Sequence, residues 1–400
     1  MPRRSTTTTV ASVPTPLGVP TEIVGFLFLL QLPWTAAVIG ATLLWDFLQK
    51  PLVGSAAARW LGSRVRARCR ALAPRMLRDE RNAEWLWVIF GLGVVGPGLF
   101  ACMAWRQHGL DYFDPVGLFA YHTLLMGPYF RFFASFATLA HQHGHQKNGF
   151  FEGPWRVLDA CITYVMGFVY GHVPEQYSMG HVRIHHRYDN GTRDITTTAR
   201  MARSAPSSLV DQLVRQLGSQ SGVTVFLHHW QCGRRPEALR MARGMLFFYG
   251  LLLAFSLWDP RVGLGYVLLP HLSIVMLIGG INYVQHAFVD RRAPDNPYRN
   301  SITILDGKRN VFNEDFHAAH HLEPQANWQD LASRFETDFE RYRDEGAIVF
   351  RDTHVYEILF WILLGRRDLL ARSLVDLGGT LSMDDKLALI DERLAYSYGG

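Results

Sequence analysis

The run IVGFLFLLQLPWTAAVIGATLLW, residues 23–45, contains no charged side chain in 23 consecutive positions. A helix needs about 20 mainly apolar residues to cross the hydrocarbon core of a bilayer. The run therefore predicts a membrane-spanning helix, and it is too long to be the apolar part of a cleaved signal peptide. Residues 1–20, which precede it, are rich in Thr, Pro and Ser, and we expect them to form a disordered leader.

The composition of the whole chain agrees with a membrane protein. Hydrophobic residues make up 48% of the 400 residues and charged residues only 19%, against roughly 25% charged residues in soluble domains. So many large apolar side chains exclude a disordered or collagen-like chain. The four cysteines lie far apart and form no Cys-x-x-Cys pair, so they indicate neither a disulfide framework nor an iron–sulfur cluster.

Further apolar segments downstream predict an all-α integral membrane protein with about 4–6 transmembrane helices. The segment Val157–Val173 is also apolar, but it contains Asp159, and we expect it to form a re-entrant or interfacial helix. The other predicted spans are Trp85–Trp105, Pro115–Ala140, Met245–Trp258 and Gly263–Val284.

The loop between the first two spans indicates the orientation of the chain. Eight arginines lie between Arg59 and Arg81, and short loops rich in Arg and Lys stay in the cytoplasm. With that loop inside, the predicted spans return the chain to the cytoplasm near residue 140 and again near residue 284. Arginine supplies 36 of the 40 basic residues, a bias typical of GC-rich bacterial genomes. We therefore expect a bacterial inner-membrane protein whose active site faces the cytoplasm.

Histidines form three clusters on the predicted cytoplasmic side. In the first, His141 and His145 are four residues apart, so a helix that continues from the third span would carry both on one face. The second cluster is His181-Val-Arg-Ile-His185-His186. Its i, i+4 spacing predicts that His181 and His185 form a pair on one helix face, with His186 as a flanking ligand.

The third cluster, His317-Ala-Ala-His320-His321, has i, i+3 and i+4 spacing, which predicts that its histidines share one helix face. His286 follows the last predicted span and brings the number of histidines at metal-ligand spacing to nine. One metal ion usually takes four to six ligands, and nine imidazoles suit two ions with open positions. The sequence therefore predicts a dinuclear, histidine-rich metal centre.

Other histidines are expected to lie outside this centre. His143 is two residues from both His141 and His145, so it points away from their shared face. His228 and His229 lack a third partner and are expected in an exposed or interfacial segment. His122 and His271 lie inside predicted spans, where we expect roles in helix packing.

The order and spacing of the clusters resemble the membrane fatty acid desaturase and alkane hydroxylase superfamily, over roughly 85–330. The segment Asn313-Glu-Asp-Phe-His317-Ala-Ala-His320-His321-Leu-Glu-Pro324 resembles the third histidine box of desaturases, and Asn282-Tyr-Val-Gln-His286 resembles the histidine between boxes. The His-x-x-x-His-His spacing of the second cluster is also favoured by alkane hydroxylases. The boxes leave the branch open, and we favour the desaturase branch.

The resemblance implies membrane-spanning helices beneath a cytoplasmic cap that holds two iron ions. Matched residue by residue, it implies that the iron ligands are His141, His145, His181, His185, His186, His286, His317, His320 and His321. We expect the side chains that orient these rings by hydrogen bonds to be Asp189, Asn190, Asp194 and Asn313.

The resemblance also implies that O2 and two electrons remove hydrogen from an unactivated C–H bond of a fatty-acyl or lipid chain. We expect a desaturase; the alternative is an alkyl- or acyl-chain hydroxylase with the same diiron site. A membrane zinc hydrolase is the least favoured, because three or four protein ligands suffice for zinc. No motif of an electron-transfer domain is present, so we expect a separate ferredoxin, rubredoxin or reductase as donor. The basic loop suits an acidic acyl carrier protein as a further partner, and no nucleic-acid partner is expected.

The predicted organisation of the chain has four parts. In the C-terminal extension Phe335, Phe339 and Tyr342 recur at helical spacing, and we expect them to pack against the cap. The parts are the leader at 1–20, the first membrane helix and Arg-rich loop at 21–84, the desaturase-like catalytic domain at 85–330, and a cytoplasmic helical extension at 331–400.

Overall fold

The computed structural model describes residues 21–290, 292–293 and 296–395, so the predicted leader at 1–20 lies outside the described residues. Most of the described chain is helical. Its α-helices, in chain order, are α1 (Thr21–Val53), α2 (Ala56–Met76), α3 (Ala83–His108), α4 (Pro115–Met126), α5 (Arg131–His145), α6 (Val157–Ala160), α7 (Gly167–Val169), α8 (Pro206–Gln220), α9 (Val223–Gln231), α10 (Arg235–Trp258), α11 (Pro260–Val262), α12 (Leu269–Gln285), α13 (Pro297–Asn300), α14 (His317–Leu322), α15 (Leu331–Thr337), α16 (Phe339–Asp344), α17 (Val355–Leu363), α18 (Arg367–Ser373) and α19 (Met383–Ala395).

Four helical segments of the described chain are long and apolar enough to cross a membrane. Large apolar side chains on them point outward, among them Val94 on α3 and Leu246 and Leu257 on α10, as a lipid-facing surface requires. This confirms the predicted all-α membrane fold. The segments are Phe28–Val53, Glu80–His108, Arg235–Trp258 and Pro260–Gln285.

The predicted third span, Pro115–Ala140, is wrong as a single helix. Helix α4 ends at Met126, and α5 begins at Arg131. Between them Gly127 has a φ of 74°, and a Cβ at this glycine would lie 2.4 Å from the ring of Phe132. The chain turns here because glycine tolerates positive φ. The two resulting helices of 12 and 15 residues are each shorter than a bilayer-spanning helix.

Three segments of the described chain are π-helical rather than α-helical, with wider turns and i to i+5 hydrogen bonds. They cover Cys161–Met166, Tyr177–His186 and Gly263–Leu268. The second of them carries the whole second histidine cluster. The short strands β1 (Thr303–Leu305) and β2 (Val349–Arg351) pair in parallel, with Thr303 opposite Val349.

A buried arginine links distant parts of the chain around the cap. Arg203 is fully buried, and its guanidinium donates hydrogen bonds to the carbonyls of Thr198, Ala287 and Arg393. These carbonyls belong to the loop before α8, the residue after His286 and the last helix, α19. The bonds stabilise the loop and the end of α12 where the histidines lie.

The segment after residue 330 packs on the third histidine cluster. Phe335 of α15 and Tyr342 of α16 are buried in one apolar cluster with Tyr298, Ala318 and Val349. Ala318 follows the first histidine of α14. The C-terminal segment therefore completes the support of α14, whereas the predicted domain boundaries at 84 and 330 remain predictions.

Candidate metal centre

The nine predicted histidines come from four elements that meet at one place. Helix α5 carries His141 and His145, the π-helix carries the second cluster, and α14 carries the third. His286 lies directly after α12, where its backbone N–H donates to the Asn282 carbonyl at 3.2 Å. Six of the nine are buried, and the other three are partly buried.

The nine side chains divide into two groups, and within each group the candidate ligand atoms lie within 4.8 Å of one another. Such groups of imidazoles can each hold a metal ion. The first group contains His141, His145, His181, His186 and His320, and the second contains His185, His286, His317 and His321.

The second cluster does not pair as its α-helical spacing predicted. His181 and His186 share the first group, with their Nε2 atoms 2.9 Å apart, whereas His185 belongs to the second group. The reason is the π-helix, whose wider turn aligns residues i and i+5 rather than i and i+4. In α14 the i, i+4 pair His317 and His321 does share a group, but His320 faces the other.

The hydrogen bonds of His185 and His286 fit a bound cation. His286 Nδ1 donates to the Asn300 carbonyl at 2.7 Å, and His185 Nδ1 donates to the Asp194 carboxylate at 2.6 Å. A neutral imidazole carries one N–H, so both Nε2 atoms present lone pairs, and they face each other at 3.1 Å. Two facing lone pairs repel unless a cation lies between them.

The other ring nitrogens also fit metal ligation. Nε2 of His141, His145 and His321 is buried and has no hydrogen-bond partner among the described residues. Other Nε2 atoms approach each other closely: those of His320 and His186 lie 3.0 Å apart. Two nitrogens that each lie about 2.1 Å from one ion at a right angle are about 3 Å apart. The donor set therefore fits two metal ions, and imidazole suits Fe, Zn, Cu and Ni.

Burial favours the neutral form of seven of the nine histidines of the centre. Desolvation lowers the pKa of seven of the nine rings, and the other histidines of the centre lower it further. Because a metal ion binds the neutral ring, the lowered pKa favours ligation at neutral pH. The seven rings are His145, His181, His186, His286, His317, His320 and His321.

Two predicted carboxylates orient histidine rings of the centre. Asp194 accepts from His185, and Asp189 accepts from His321 Nδ1 at 2.8 Å. Burial raises the pKa of each carboxyl, but hydrogen bonds from His321 and Asn300 to Asp189, and from His185 and Thr196 to Asp194, outweigh it, so the net pKa of both is lowered. Both side chains are therefore carboxylates at neutral pH, which fixes the proton of each ring on Nδ1.

The two predicted asparagines do not contact a ligand ring. Asn190 bonds to the amide and hydroxyl of Thr198, whose hydroxyl donates to the His286 carbonyl. Asn313 donates to the Trp328 carbonyl at 2.9 Å. Both support the loops that carry the site, and the prediction that they orient a ring directly is wrong.

Two ring partners were missed by the sequence analysis. Glu314 accepts from His141 Nδ1, with oxygen distances of 3.0 and 3.1 Å, and the Asn300 backbone carbonyl accepts from His286. Glu314 lies within the third-box segment, so its charge was an available signal. A backbone carbonyl leaves no trace in a sequence pattern.

The other histidines lie outside both groups. His143 Nε2 is 3.0 Å from Asp159, whose carboxylate also accepts from the Phe150 amide. His229 is fully buried and contacts the Met179 carbonyl at 3.0 Å, so the expectation that it is exposed is wrong. His271 contacts the Gly171 carbonyl, and His122 accepts a hydrogen bond from Trp34.

A close approach at Gly144 sets the distance between α5 and the π-helix. A Cβ at this position would lie 2.9 Å from Tyr177 Cβ and 3.4 Å from the Ser178 amide. Gly144→Ala is expected to lower both the melting temperature and the metal content, because the two elements must separate. Thermal unfolding of the detergent-solubilised protein and metal analysis measure both.

Gly98→Ala in α3 is the matched control, since no atom lies within 4 Å of its Cβ position. Alanine favours a helix over glycine by up to about 1 kcal/mol, so this control is expected to be neutral or stabilising. A Gly144→Ala protein as stable and metal-rich as the Gly98→Ala protein would show that the close approach is not needed.

A cavity of about 400 Å³ lies against both histidine groups, within the roughly 300–1,000 Å³ of small-molecule sites. Four of the clustered histidines line it: His141, His181, His185 and His317. Much of the rest is apolar, and the exposed Lys308 marks where the cavity reaches the protein surface. The apolar lining includes Phe133, Ala134, Ala137, Ile278, Ile281, Ile302 and Ile304.

Comparison with known proteins finds one family. The sequence model of the family described as fatty acid desaturase matches residues 115–352, which is more than half of the chain and includes both histidine groups. No curated protein and no solved structure matches the chain.

Proposed function

Since the chain belongs to the fatty acid desaturase family and is therefore an oxidoreductase of that type, we propose that it uses a diiron centre and O2 to desaturate a fatty-acyl or lipid chain. The nine clustered histidines are the proposed iron ligands. The observation that carries this proposal is the pair of Nε2 lone pairs of His185 and His286, which face each other at 3.1 Å.

Iron bound there would supply the activation of O2 that an unactivated C–H bond requires. In the proposed reaction a CH2–CH2 unit, O2, two electrons and two protons give a CH=CH unit and two water molecules. The hydroxylase alternative consumes the same O2, electrons and protons, and it gives one alcohol and one water. The histidine boxes suit both reactions.

The residues of the chain hold the ligands and exclude water. Asp194, Asp189 and Glu314 keep the proton of their partner rings on Nδ1 and so leave Nε2 for the metal. The apolar side chains along α5 and α12, such as Ala137 and Ile278, suit an acyl chain and keep bulk water from the reacting carbon.

The proposed donor of electrons is a separate ferredoxin, rubredoxin or reductase, and an acyl carrier protein is a further proposed partner. We also propose that the site faces the cytoplasm of a bacterial inner membrane. The Arg-rich segment between the first two candidate spans supports this orientation, because arginine-rich loops stay in the cytoplasm. The end of this segment contacts loops close to the histidines: the Arg78 amide donates to the Phe150 carbonyl at 2.9 Å, and Arg81 pairs with Asp330.

Metal analysis of the purified protein is the first test. We expect about two iron ions per chain after gentle detergent purification without chelators, since the two groups each suit one ion. Mass spectrometry of the products, with O2 and an electron donor, is then expected to show an acyl chain that has lost two hydrogen atoms.

The other possible outcomes would each lead to a different conclusion about the function. A product that gains one oxygen atom would establish the hydroxylase alternative. One zinc and no iron per chain, even after expression in iron-rich medium, would overturn the diiron proposal and favour a hydrolase. Metal content is the primary readout, because an inactive sample can simply lack its redox partner.

A further inference from the structure

One wall of the cavity is polar where it meets the second histidine group. It is built from Gln216, Ser219 and Gln220 on α8, Asn282 on α12, and Gln176 just before the π-helix. Four of these side chains are nearly fully buried: Gln216, Ser219, Gln220 and Gln176. A cavity built only for a saturated hydrocarbon would be lined by apolar side chains, because a buried polar group costs free energy when it lacks a hydrogen bond.

The polar wall is connected to the metal centre. Asn282 lies one helical turn before His286, and its Oδ1 accepts hydrogen bonds from Gln216 at 3.0 Å and from Gln212 at 2.6 Å. Gln212 also donates to the Thr196 carbonyl, and the Thr196 hydroxyl donates to Asp194, the carboxylate that holds His185. The wall is therefore next to the metal ligands rather than at the cavity mouth.

Part of the hydrogen-bonding capacity of this wall is unused. Oε1 of Gln176 and Oε1 of Gln220 are buried and have no partner among the described residues. Gln176 Nε2 reaches Ser219 Oγ at 3.3 Å, and no described residue accepts a hydrogen bond from the amide group of Asn282. A hydrocarbon chain in contact with this wall would leave these groups unsatisfied.

The cavity also has an apolar lining. Phe133 and Ala137 of α5 and Ile281 of α12 contribute only apolar side chains to it. The cavity therefore suits a chain that is largely apolar and carries a hydrogen-bonding group.

We propose that the substrate is a hydroxylated chain, whose hydroxyl group binds Gln216, Gln220 and Asn282 beside the reacting carbon. This inference rests on the proposed function and specifies its substrate class. A hydroxyl group suits the wall well, because it both donates and accepts. The same wall would disfavour a plain saturated chain.

The test is binding without turnover. A fluorescent fatty acid is first bound to detergent-solubilised protein whose iron content has been measured. It is then displaced by octadecanoic acid or by hydroxyoctadecanoic acids. These carry the hydroxyl near the carboxyl end, at mid-chain or near the methyl end. At least one hydroxylated chain is expected to bind about tenfold more tightly than octadecanoic acid.

Gln216→Met and Gln220→Met keep the side-chain length and remove hydrogen bonding, and each is expected to reduce that preference to about twofold or less. Gln325→Met, at an exposed position outside the cavity, is the control and should keep the full preference. The use of two variants keeps the test valid if one of them does not fold.

The inference is overturned if octadecanoic acid binds as tightly as every hydroxylated chain, or if both methionine variants keep the preference. A protein with two irons and no preference would reject only the substrate class. A protein without iron that still prefers a hydroxylated chain would reject only the diiron function.

Discussion

Alanine at His185 or at His320 is expected to abolish turnover and to reduce the iron content, while the protein still inserts into the membrane. Each variant removes one proposed ligand from a different group: His320 from the first and His185 from the second. Neither side chain lies on a candidate span, so insertion depends on residues that the variants leave unchanged.

The two variants should differ in how much iron they lose. Without His320 the first group keeps four histidines, whereas without His185 the second keeps only three. Changes to residues that merely orient a ligand already cost about 10–100-fold in metal affinity, and loss of a ligand should cost at least as much. We therefore expect a larger iron loss for His185→Ala, measured by mass spectrometry of the metal in the purified protein.

Histidines outside the two groups provide the control for these variants. His143→Ala removes a ring that contacts Asp159 and no histidine of the centre, so this variant is expected to keep its iron. His229→Ala removes a buried contact to the Met179 carbonyl, and we expect lower stability with iron retained. A His185→Ala or His320→Ala protein with full iron and activity would remove that residue from the ligand set.

The membership of the centre was predictable from the sequence, but its division into two groups was not. The nine histidines could be predicted to lie together, because the histidines within each cluster recur within about one helical turn. The assignment of His181 and His186 to one group depends on the π-helix of Tyr177–His186. A π-helix forms through tertiary packing as well as local sequence, so spacing rules for α-helices assigned His185 to the wrong partner.

The fold shows the same limit at the third apolar segment. Hydropathy is high on both sides of Gly127, so a sliding average gives one continuous span, whereas the positive φ of Gly127 ends the helix. Contacts between residues far apart in sequence were equally hidden. Glu314 meets His141 across 173 positions, and only the folded structure brings them together.

The substitution Asp194→Asn is expected to lower the iron affinity about 10–100-fold, although Asn is nearly the same size as Asp. Asp194 is buried and accepts hydrogen bonds from His185 Nδ1 at 2.6 Å and from the Thr196 amide and hydroxyl, both at 2.9 Å. All three partners donate, and an amide offers only one acceptor oxygen. In either orientation, the NH2 group of the asparagine would face a donor.

The orientation that keeps both Thr196 donors bonded to the carbonyl oxygen turns the NH2 group toward His185. The ring of His185 can relieve that clash only by moving its proton from Nδ1 to Nε2. The proton would then occupy the nitrogen that faces His286 and the proposed iron, which explains the expected loss of affinity. Competition with a chelator of known affinity measures this loss without any need for turnover.

Asp290→Asn separates this effect from the general cost of a buried amide. Asp290 is equally buried, but its carboxylate contacts Arg292, Arg299 and Arg393 and no histidine. We expect this control to lose thermal stability and to keep its iron affinity. If Asp194→Asn lost only stability, as the control does, Asp194 would be a structural residue, and the proton of His185 would not depend on it.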